Sequence, residues 1–578
     1  MARLNSPAIV ILGAGALTTA RRVQACFPGA QVHGLHGRVE ADFTYGELGA
    51  HLRELYTRGT PIVALCAAGI VIRCVAPLLA NKGVEPPVLA VAEDGSAVVP
   101  LLGGLAGVNV MAREIASALA VPPAITTSGE LRFGTCVLNP PDGYALASLA
   151  QGKRFVSDLL AGESTRIEGD APWLDDAQLP LASAARLAIR VTPKNWDGCA
   201  DELVIHPRSV VAAVCDSGER VAERVRAALE KHGLAPLSLA ALVAPVERMG
   251  DPALIEAANA LGVPLRFVET HDGENEAVRA GEPHHLIKAA LRVPHETLNH
   301  TSHAGVAVGV AVALAHTPVE PDTLGRARGK LTVIGLGPGS AELMVPAART
   351  ALSDATDILG YETYVKMAGP FHAGQQLHCT DNREEMQRAR HAFELASAGR
   401  SVVVVSSGDP GVFAMAAAVL EALDTSDDVR WGSVELNIVP GVSAAMATAA
   451  QAGAPLGHDF CMLSLSDNLK PWSIIETRLR HAAQADLVMA FYNPISRARP
   501  WQLDKALDIV REYRDAQTKV VLGRDIGRPG SSLRSTTLGH LRSTDVDMRT
   551  MVIIGSSLTR GFARGAQGEW IYTPRWYA

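Results

Sequence analysis

One pattern recurs six times in about the last 250 residues: a short apolar run, then a turn marked by glycine or proline. The runs cover residues 331–334, 402–405, 434–439, 487–491, 520–522 and 551–554. Each reads as a buried strand. The turns that follow them are GLGPG, SSGDPG, PGVSA, YNPIS, GRDIGR and GSSLTR. In α/β sheets ligands collect beyond the carboxyl ends of the strands, so six such turns predict one binding site. The C-terminal half is therefore expected to carry the chemistry.

A single core cannot serve 578 residues, and about 150 residues per domain predicts about four units. A hydrophobic share of 48% with 20% charged residues is that of a soluble globular enzyme and excludes disorder. Aromatic residues are 5%, the net charge is −7 and no long basic run occurs, which together exclude nucleic acid as the partner. An anionic small molecule remains open, because a local arginine cluster acts even inside an acidic protein. The eight cysteines (Cys26, Cys66, Cys74, Cys136, Cys199, Cys215, Cys379, Cys461) form no C-x-x-C pair and read as reduced, buried thiols. The opening MARLNSPAIVILGAGA reads as a first strand, not a signal peptide. No run approaches the roughly 20 apolar residues of a membrane span. The expected location is cytoplasmic.

Residues 1–139 alternate strands (9–12, 62–66, 88–91) with helices such as 107–119. From 140 to 202 the pattern loosens into a connector or small subdomain. A third α/β unit, 203–316, holds a strand at 210–215, helices at 219–232 and 252–261, and a strand at 265–268. Residues 317–330, TPVEPDTLGRARGK, read as a linker. The C-terminal unit fills 331–578.

Gly13-Ala14-Gly15 follows a strand, but Thr18 stands where a dinucleotide fingerprint has its third glycine, and a lone G-x-G is weak. Gly335-Leu336-Gly337-Pro338-Gly339 is a different turn. Pro338 lacks an N–H, so the loop cannot be a nest of donors for a pyrophosphate; it lets a large ligand lie against backbone. In Ser407-Gly408-Asp409-Pro410-Gly411 a carboxylate stands at a strand end, placed either to receive ligand donors or to cap a helix at 412–423. Pro440-Gly441-Val442-Ser443-Ala444 opens an alanine-rich helix, 444–452, whose small residues admit a flat or bulky ligand.

In order, GLGPG, GDPGVF, PGVSAAMATAAQAGAPLGHDF, SLSDNLKPW, FYNPISRAR and VDMRTMVIIGSSLTR resemble the S-adenosylmethionine-dependent tetrapyrrole methyltransferases of corrin biosynthesis. SLSDNLKPW and FYNPISRAR look like the precorrin-3B C(17)-methyltransferase family in particular. The resemblance covers about residues 330–560. It implies a fold of two α/β subdomains with a trough between them, preceded by two or more small α/β domains. It also implies S-adenosylmethionine as co-substrate, an acidic tetrapyrrole as acceptor, a homodimer, and a place beside other corrin-pathway enzymes in cobalamin biosynthesis and porphyrin metabolism. Carried over by position, the donor site is Pro338, Gly408, Asp409, Val412, Ser443, Ala444, Asn493 and Gly527. The acceptor side is Gly337, Ser464, Asp467, Arg497, Arg524 and Arg528, with Arg499 and Arg534 as further cations for the acceptor's carboxylates. No catalytic residue is assigned, since methyl transfer mainly requires that donor and acceptor be held in contact. Asn468, Lys470 and Ser556 depart from the family pattern.

The N-terminal half resembles a second corrin-pathway family, the cobalt-precorrin-5A hydrolases, which open a lactone and release acetaldehyde. AAGIVIRCVAPLLANKGVEPPVLAVAEDGSAVVPLLGGLAGVNVMAREIA and ITTSGE carry the likeness. Arg73 and Asn109 keep the pattern, while Leu105 replaces a histidine and Glu130 an aspartate. Cys215-Asp216-Ser217 replaces an arginine-rich turn, and Arg248 a lysine. Loss of an acid/base histidine predicts a half that binds without hydrolysing. A bifunctional hydrolase, or a corrin carrier, are the alternatives. Seven of the 18 histidines fall between His271 and His316. His300 and His303 could share a helical face, but no cysteine or paired carboxylate completes a site, and no metal is expected.

Overall fold

The structure is a computed structural model; it describes residues 6–27, 29–79, 85–215, 219–269, 283–298, 309–372, 374–381, 384–496, 500–565 and 568–576. The chain divides into two compact units between Arg328 and Gly329.

Among the described residues the first unit holds three sheets. Ala8–Ile11, Ile62–Leu65 and Val88–Val91 are neighbours in a six-stranded sheet, parallel apart from Val98–Leu102 at one edge. All three are fully buried runs, as strands covered on both faces must be. The Val108–Leu119 helix buries Val108, Met111, Ala112, Ile115, Ala116 and Leu119 at helical spacing. The loosened segment after residue 140 contains a four-stranded sheet of Tyr144–Leu146, Glu202–Pro207, Leu187–Val191 and Thr165–Glu168. Its core includes Phe133, Phe155, Ile189 and Ile205. The low density of apolar runs there hid strands of three to six residues. The third sheet contains the expected strands Val210–Val214 and Leu265–Val268. The two expected helices are Val221–Lys231, which begins two residues later than read from sequence, and Pro252–Leu261; a third, Pro283–Ala290, also packs on this sheet.

The 317–330 stretch is not a tether. Val319 and Leu324 are buried in the third core, and Arg326 exchanges backbone hydrogen bonds with Phe267 at 2.8 and 2.9 Å. Its prolines and glycines shape a strap with a 3-10 turn at Pro321–Thr323. Of the cysteines, only Cys66 is fully buried, and Cys199 and Cys379 are exposed, so the reading of all eight as buried thiols fails. Burial pushes the Cys66 and Cys461 thiols up to about 11. Among the described residues no helix is long and apolar enough to cross a membrane.

Among the described residues the second unit holds two five-stranded sheets and a small three-stranded one. The first is wholly parallel, in the order Gln376–Thr380, Asp357–Tyr361, Ser401–Ser406, Lys330–Gly335, Glu435–Val439. All six apolar runs of the sequence are strands, but Glu435–Val439 is a half-exposed edge strand, not a buried one. In the second sheet Phe460–Ser464 and Val488–Tyr492 are parallel, and Thr550–Ile554 runs antiparallel between Val488–Tyr492 and Lys519–Arg524. The GSSLTR turn therefore lies at the opposite end of this sheet from YNPIS and GRDIGR. Five turns, not six, stand at one end of their sheets.

Candidate functional site

Three neighbouring parallel strands deliver the first three turns side by side, and their backbones touch. A Cβ on Gly335 would lie 2.3 Å from the Gly408 carbonyl oxygen and 2.9 Å from Gly441 Cα. A Cβ on Gly441 would lie 2.2 Å from the same oxygen. Gly337 and Gly408 exchange backbone hydrogen bonds of 3.2 and 2.8 Å, both at positive φ (+70° and +69°). Only glycine permits this approach. Asp409 then ties two turns together: Oδ1 accepts from Gly411 N–H at 2.8 Å and Oδ2 from Gly441 N–H at 3.0 Å. It does not cap the following helix, which runs Met415–Asp424 with Ala414 before it, so the expected start at 412 is three residues early. Ser443 caps Ala444–Ala452 by accepting from Met446 N–H at 3.3 Å. Val412 is half-buried in the turn after Asp409.

The second sheet contributes its own strand ends. Tyr492 Oη accepts from Ala445 N–H at 3.3 Å, joining Val488–Tyr492 to the Ala444–Ala452 helix. Asn493, at φ +50°, donates from Nδ2 to Ser464 Oγ at 3.1 Å. A Cβ on Gly527 (φ +81°) would lie 2.9 Å from Pro338 Cγ, and one on Gly339 would lie 2.6 Å from Arg528 Cγ. Arg528 donates from Nε to the Pro338 carbonyl at 2.8 Å and from Nη2 to Ser407 Oγ at 3.2 Å. The two glycines leave room for this crossing, which buries Pro338 and Gly337.

The cations expected for acceptor carboxylates are largely engaged within the protein. Arg528 is in the crossing. Arg524 pairs with Asp547 at 2.8 Å and Asp525 at 3.0 Å. The Asp547 hydrogen bond raises the Arg524 guanidinium above its ordinary value. Arg534 lies within the strand Ser532–Thr537, not in a loop, and pairs with Asp545 at 2.8 Å. Arg497 and Arg499 lie outside the described residues, as do Asp216, Ser217, His271, His300 and His303. Asp467 accepts from Gln502 Nε2 at 2.8 Å. The structure thus brings Gly337, Pro338, Gly408, Asp409, Ser443, Gly527 and Arg528 into one connected set, with Ala444 and Asn493 adjoining through Tyr492 and its neighbours. Sequence reasoning missed Ser407, Tyr492 and Phe413. Phe413 was visible as the one aromatic in GDPGVF, and Ser407 sat inside a quoted turn. Among the described residues no group of three or more His, Cys, Asp or Glu could hold a metal.

The residues fit S-adenosylmethionine. The floor is backbone and small side chains, and among the described residues each Asp409 oxygen accepts one backbone bond, leaving lone pairs for a donor's hydroxyl or amine groups.

In the first unit, Glu130 is 4% exposed and accepts from Asn109 Nδ2 at 2.8 Å and Arg113 Nη2 at 2.6 Å. Leu105 is exposed in the turn between Gly103 and Gly107, both left-handed. Arg73 is exposed on the Ala68–Val75 helix, and Arg248 pairs with Asp251.

Two α/β halves joined through backbone turns define an enzyme that works by positioning, here a methyltransferase using S-adenosylmethionine. The model of the tetrapyrrole (corrin/porphyrin) methylases matches residues 330–542, and that of the cobalamin synthesis G N-terminal domain matches residues 50–130. The chain is 50% identical over 250 residues to a precorrin-3B C(17)-methyltransferase of Sinorhizobium sp, covering 43% of this chain and 98% of that protein. It is 41% identical over 250 residues to a cobalt-factor III methyltransferase of Priestia megaterium, covering 43% of this chain and 45% of the relative. A crystal structure of the methyltransferase CobJ, 48% identical, is matched over 43% of this chain and 100% of that one, with a TM-score of 0.41. The chain belongs to the tetrapyrrole methylases, here fused behind a hydrolase-like N-terminal half.

Proposed function

We propose that the C-terminal unit methylates carbon 17 of precorrin-3B, with ring contraction to precorrin-4, in cobalamin biosynthesis. The observation that carries this reading is the connected set of glycine turns bridged by Arg528, in a chain that covers 98% of the Sinorhizobium enzyme. The acceptor carbon attacks the sulfonium methyl in line. A carbon–carbon bond forms, the carbon–sulfur bond breaks, and the electron pair returns to sulfur, leaving S-adenosylhomocysteine. The protein's task is to hold both partners in reach and keep water out. In this reading Asp409 receives the donor's polar groups, and Gly408, Val412, Ser443, Ala444, Asn493, Gly527 and Pro338 shape its pocket. Gly337, Ser464 and Asp467 face the acceptor. Arg528 serves by fixing the Pro338 loop, Arg524 stands at the rim within its ion pairs, and Arg497 is the further cation proposed for acceptor carboxylates.

The same reading takes residues 1–139, 140–202 and 203–316 as three domains, 317–330 as the join and 331–578 as the methyltransferase. It takes the protein as a cytoplasmic homodimer working beside other corrin-pathway enzymes, with an N-terminal half that binds tetrapyrrole without cleaving it. The test is anaerobic incubation with S-adenosylmethionine and either precorrin-3B or its cobalt counterpart. Production of S-adenosylhomocysteine together with a singly methylated, contracted ring is expected with one of them. Tetrapyrrole binding without S-adenosylhomocysteine would replace this reading by that of a carrier.

A further inference from the structure

Among the described residues, six non-glycine positions hold a positive φ: Ala120, Arg220, Phe413, Asp486, Asn493 and Asp525. Asparagine and aspartate tolerate the left-handed region, whereas a bulky side chain there is strained. Phe413 is the one aromatic of the six, at φ +54°. Strain of this kind persists where surrounding structure imposes it, and burial of the ring would be the ordinary compensation. Yet Phe413 is 52% exposed. Its ring contact is Tyr492, at 5.2 Å between centroids and tilted by 58°. Phe413 follows the strand Ser401–Ser406 and Tyr492 ends the strand Val488–Tyr492, so the pair bridges the two sheets beside the glycine turns. Asn493 and Asp525, at φ +50° and +51°, stand at the ends of two strands of the second sheet. Three of the six positive-φ positions therefore gather at the strand ends that form the site.

We infer that Phe413, backed by Tyr492, is an aromatic wall of the acceptor subsite, and that its exposed face takes the conjugated face of the tetrapyrrole. This rests on the methyltransferase reading above. The donor-site residues offer backbone, small side chains and a carboxylate, whereas Phe413 offers an apolar face. Exposed apolar side chains also follow two other strands: Met446 (43% exposed) after Glu435–Val439 and Leu469 (91% exposed) after Phe460–Ser464. An adenine would cover one such group; a tetrapyrrole is broad enough for several. A strained backbone that carries an exposed ring is the kind of strain that clusters at ligand sites.

The test compares full-length wild type with Phe413→Ala, Phe413→Gly and Phe413→Trp. The alanine and glycine variants should raise the acceptor KM roughly tenfold, the scale of a lost aromatic stacking contact. S-adenosylmethionine affinity by calorimetry should be unchanged, and the tryptophan variant should keep the wild-type KM. The glycine variant should melt no lower than the alanine variant, because glycine takes a positive φ without strain. An acceptor KM that does not move, or donor affinity that falls in step with it, overturns the assignment. Absence of S-adenosylhomocysteine from wild type would instead be a failure of the methyltransferase reading. Tetrapyrrole binding by absorbance titration then still reads the wall, and equal affinity in wild type and Phe413→Ala overturns it.

Discussion

Arg528 reaches across from the second sheet of the C-terminal unit to the first, donating to the Pro338 carbonyl at 2.8 Å over a sequence separation of 190 residues. Its second bond, to Ser407 Oγ at 3.2 Å, seizes the neighbouring turn. One side chain thus fixes the spacing of the proline loop and the Asp409 turn, which a displacement at a sulfonium methyl needs held.

Removing that crossing should cost both stability and donor affinity. Arg528→Ala is expected to lose about 1–3 kcal/mol, the scale of charge-assisted hydrogen bonds in a partly buried place. Its S-adenosylmethionine affinity should fall about tenfold, the equivalent of 1.4 kcal/mol. Arg528→Lys should recover little, since an ammonium cannot span two acceptors in the fork geometry of a guanidinium. Gly527→Ala should copy the defect without touching a charge, because its Cβ would stand 2.9 Å from Pro338 Cγ. Calorimetry and thermal melting decide. A Gly527→Ala protein with wild-type donor affinity would show that the crossing is incidental.

Asp409 carries two duties at once. The sequence alone predicts that Asp409→Ala abolishes donor binding and leaves the fold untouched beyond a capping loss of ~1 kcal/mol. The structure moves the second half of that expectation, since Asp409 caps no helix but holds the Gly411 and Gly441 N–H groups at 2.8 and 3.0 Å. Asp409→Ala should therefore also lower stability by about 2–4 kcal/mol, with two backbone donors unpaired. Asp409→Asn, which keeps one acceptor oxygen, should retain part of the stability while losing donor affinity. If calorimetry finds alanine and wild type binding S-adenosylmethionine alike, Asp409 is structural only.

Six strands of this unit were legible because each carries a continuous apolar run, buried in cases such as Ser401–Ser406 and Lys330–Gly335; exposed strands such as Gln376–Thr380 and Ser532–Thr537 carry no such run and were not. Direction was not legible. The run Thr550–Ile554 looks like the others, yet it is antiparallel to both neighbours, and this carries GSSLTR away from the site. Pairing partners were equally hidden. Arg524 and Arg528 stand four residues apart in one turn, and only the structure separates an ion pair with Asp547 from a bond to Pro338. Asp409 was found for its position at a strand end, but its partner Gly441 lies 32 residues on, where no local pattern points to it.

The second unit should fold without the first, provided that it starts early enough. Gly329 belongs to it: its carbonyl accepts from Glu435 N–H at 2.9 Å, and Lys330 N–H donates to the Arg400 carbonyl at 3.0 Å. A Cβ at residue 329 would lie 1.6 Å from the Ala396 carbonyl oxygen, so a vector-derived residue must not replace this glycine. A fragment beginning at Gly329 should melt cooperatively and bind S-adenosylmethionine. One beginning at Leu336, without the interior strand Lys330–Gly335, should not. A soluble 329–578 fragment that turns nothing over, beside an active full chain, would make the N-terminal half part of the enzyme.

Acid should weaken the first unit before the second. His33 Nδ1 and His51 Nε2 are 2.8 Å apart and both residues are buried. Burial, then the neighbouring His51, lowers His33 to about 3, and burial lowers His51 as well. In the unfolded chain each returns to about 6.5. The folded values lie below the unfolded ones, so the stability is whole above about pH 6.5. It is lost as the pH falls from there toward 3, because the unfolded state takes up protons that the native pair refuses. The slope approaches 1.4 kcal/mol per pH unit for each such proton. Melting of wild type and His33→Gln between pH 7.5 and 4.5, ~3 units spanning that titration, should show a shallower slope in the variant. Equal slopes would assign the acid sensitivity to other groups.

The N-terminal half should release no acetaldehyde from a lactone-bearing cobalt corrinoid. Its one buried carboxylate near the likeness to the hydrolases, Glu130, is held by Arg113 at 2.6 Å and Asn109 at 2.8 Å. Both of its oxygens are thus tied to the Val108–Leu119 helix that carries Asn109 and Arg113. Leu105, in place of a histidine, offers no proton at all. The Leu105 side chain is 39% exposed in a turn flanked by two left-handed glycines, so a histidine fits there without repacking a core. Wild type should therefore be silent while still binding corrinoid, and Leu105→His should fold as wild type does. Enzyme-dependent acetaldehyde from wild type would sink the binding-only reading. Acetaldehyde from Leu105→His alone would show that the pocket survives and lacks only its acid/base group. Silence from both, with corrinoid bound, is the result expected if the network around Glu130 now serves to hold the macrocycle and no longer to cut it.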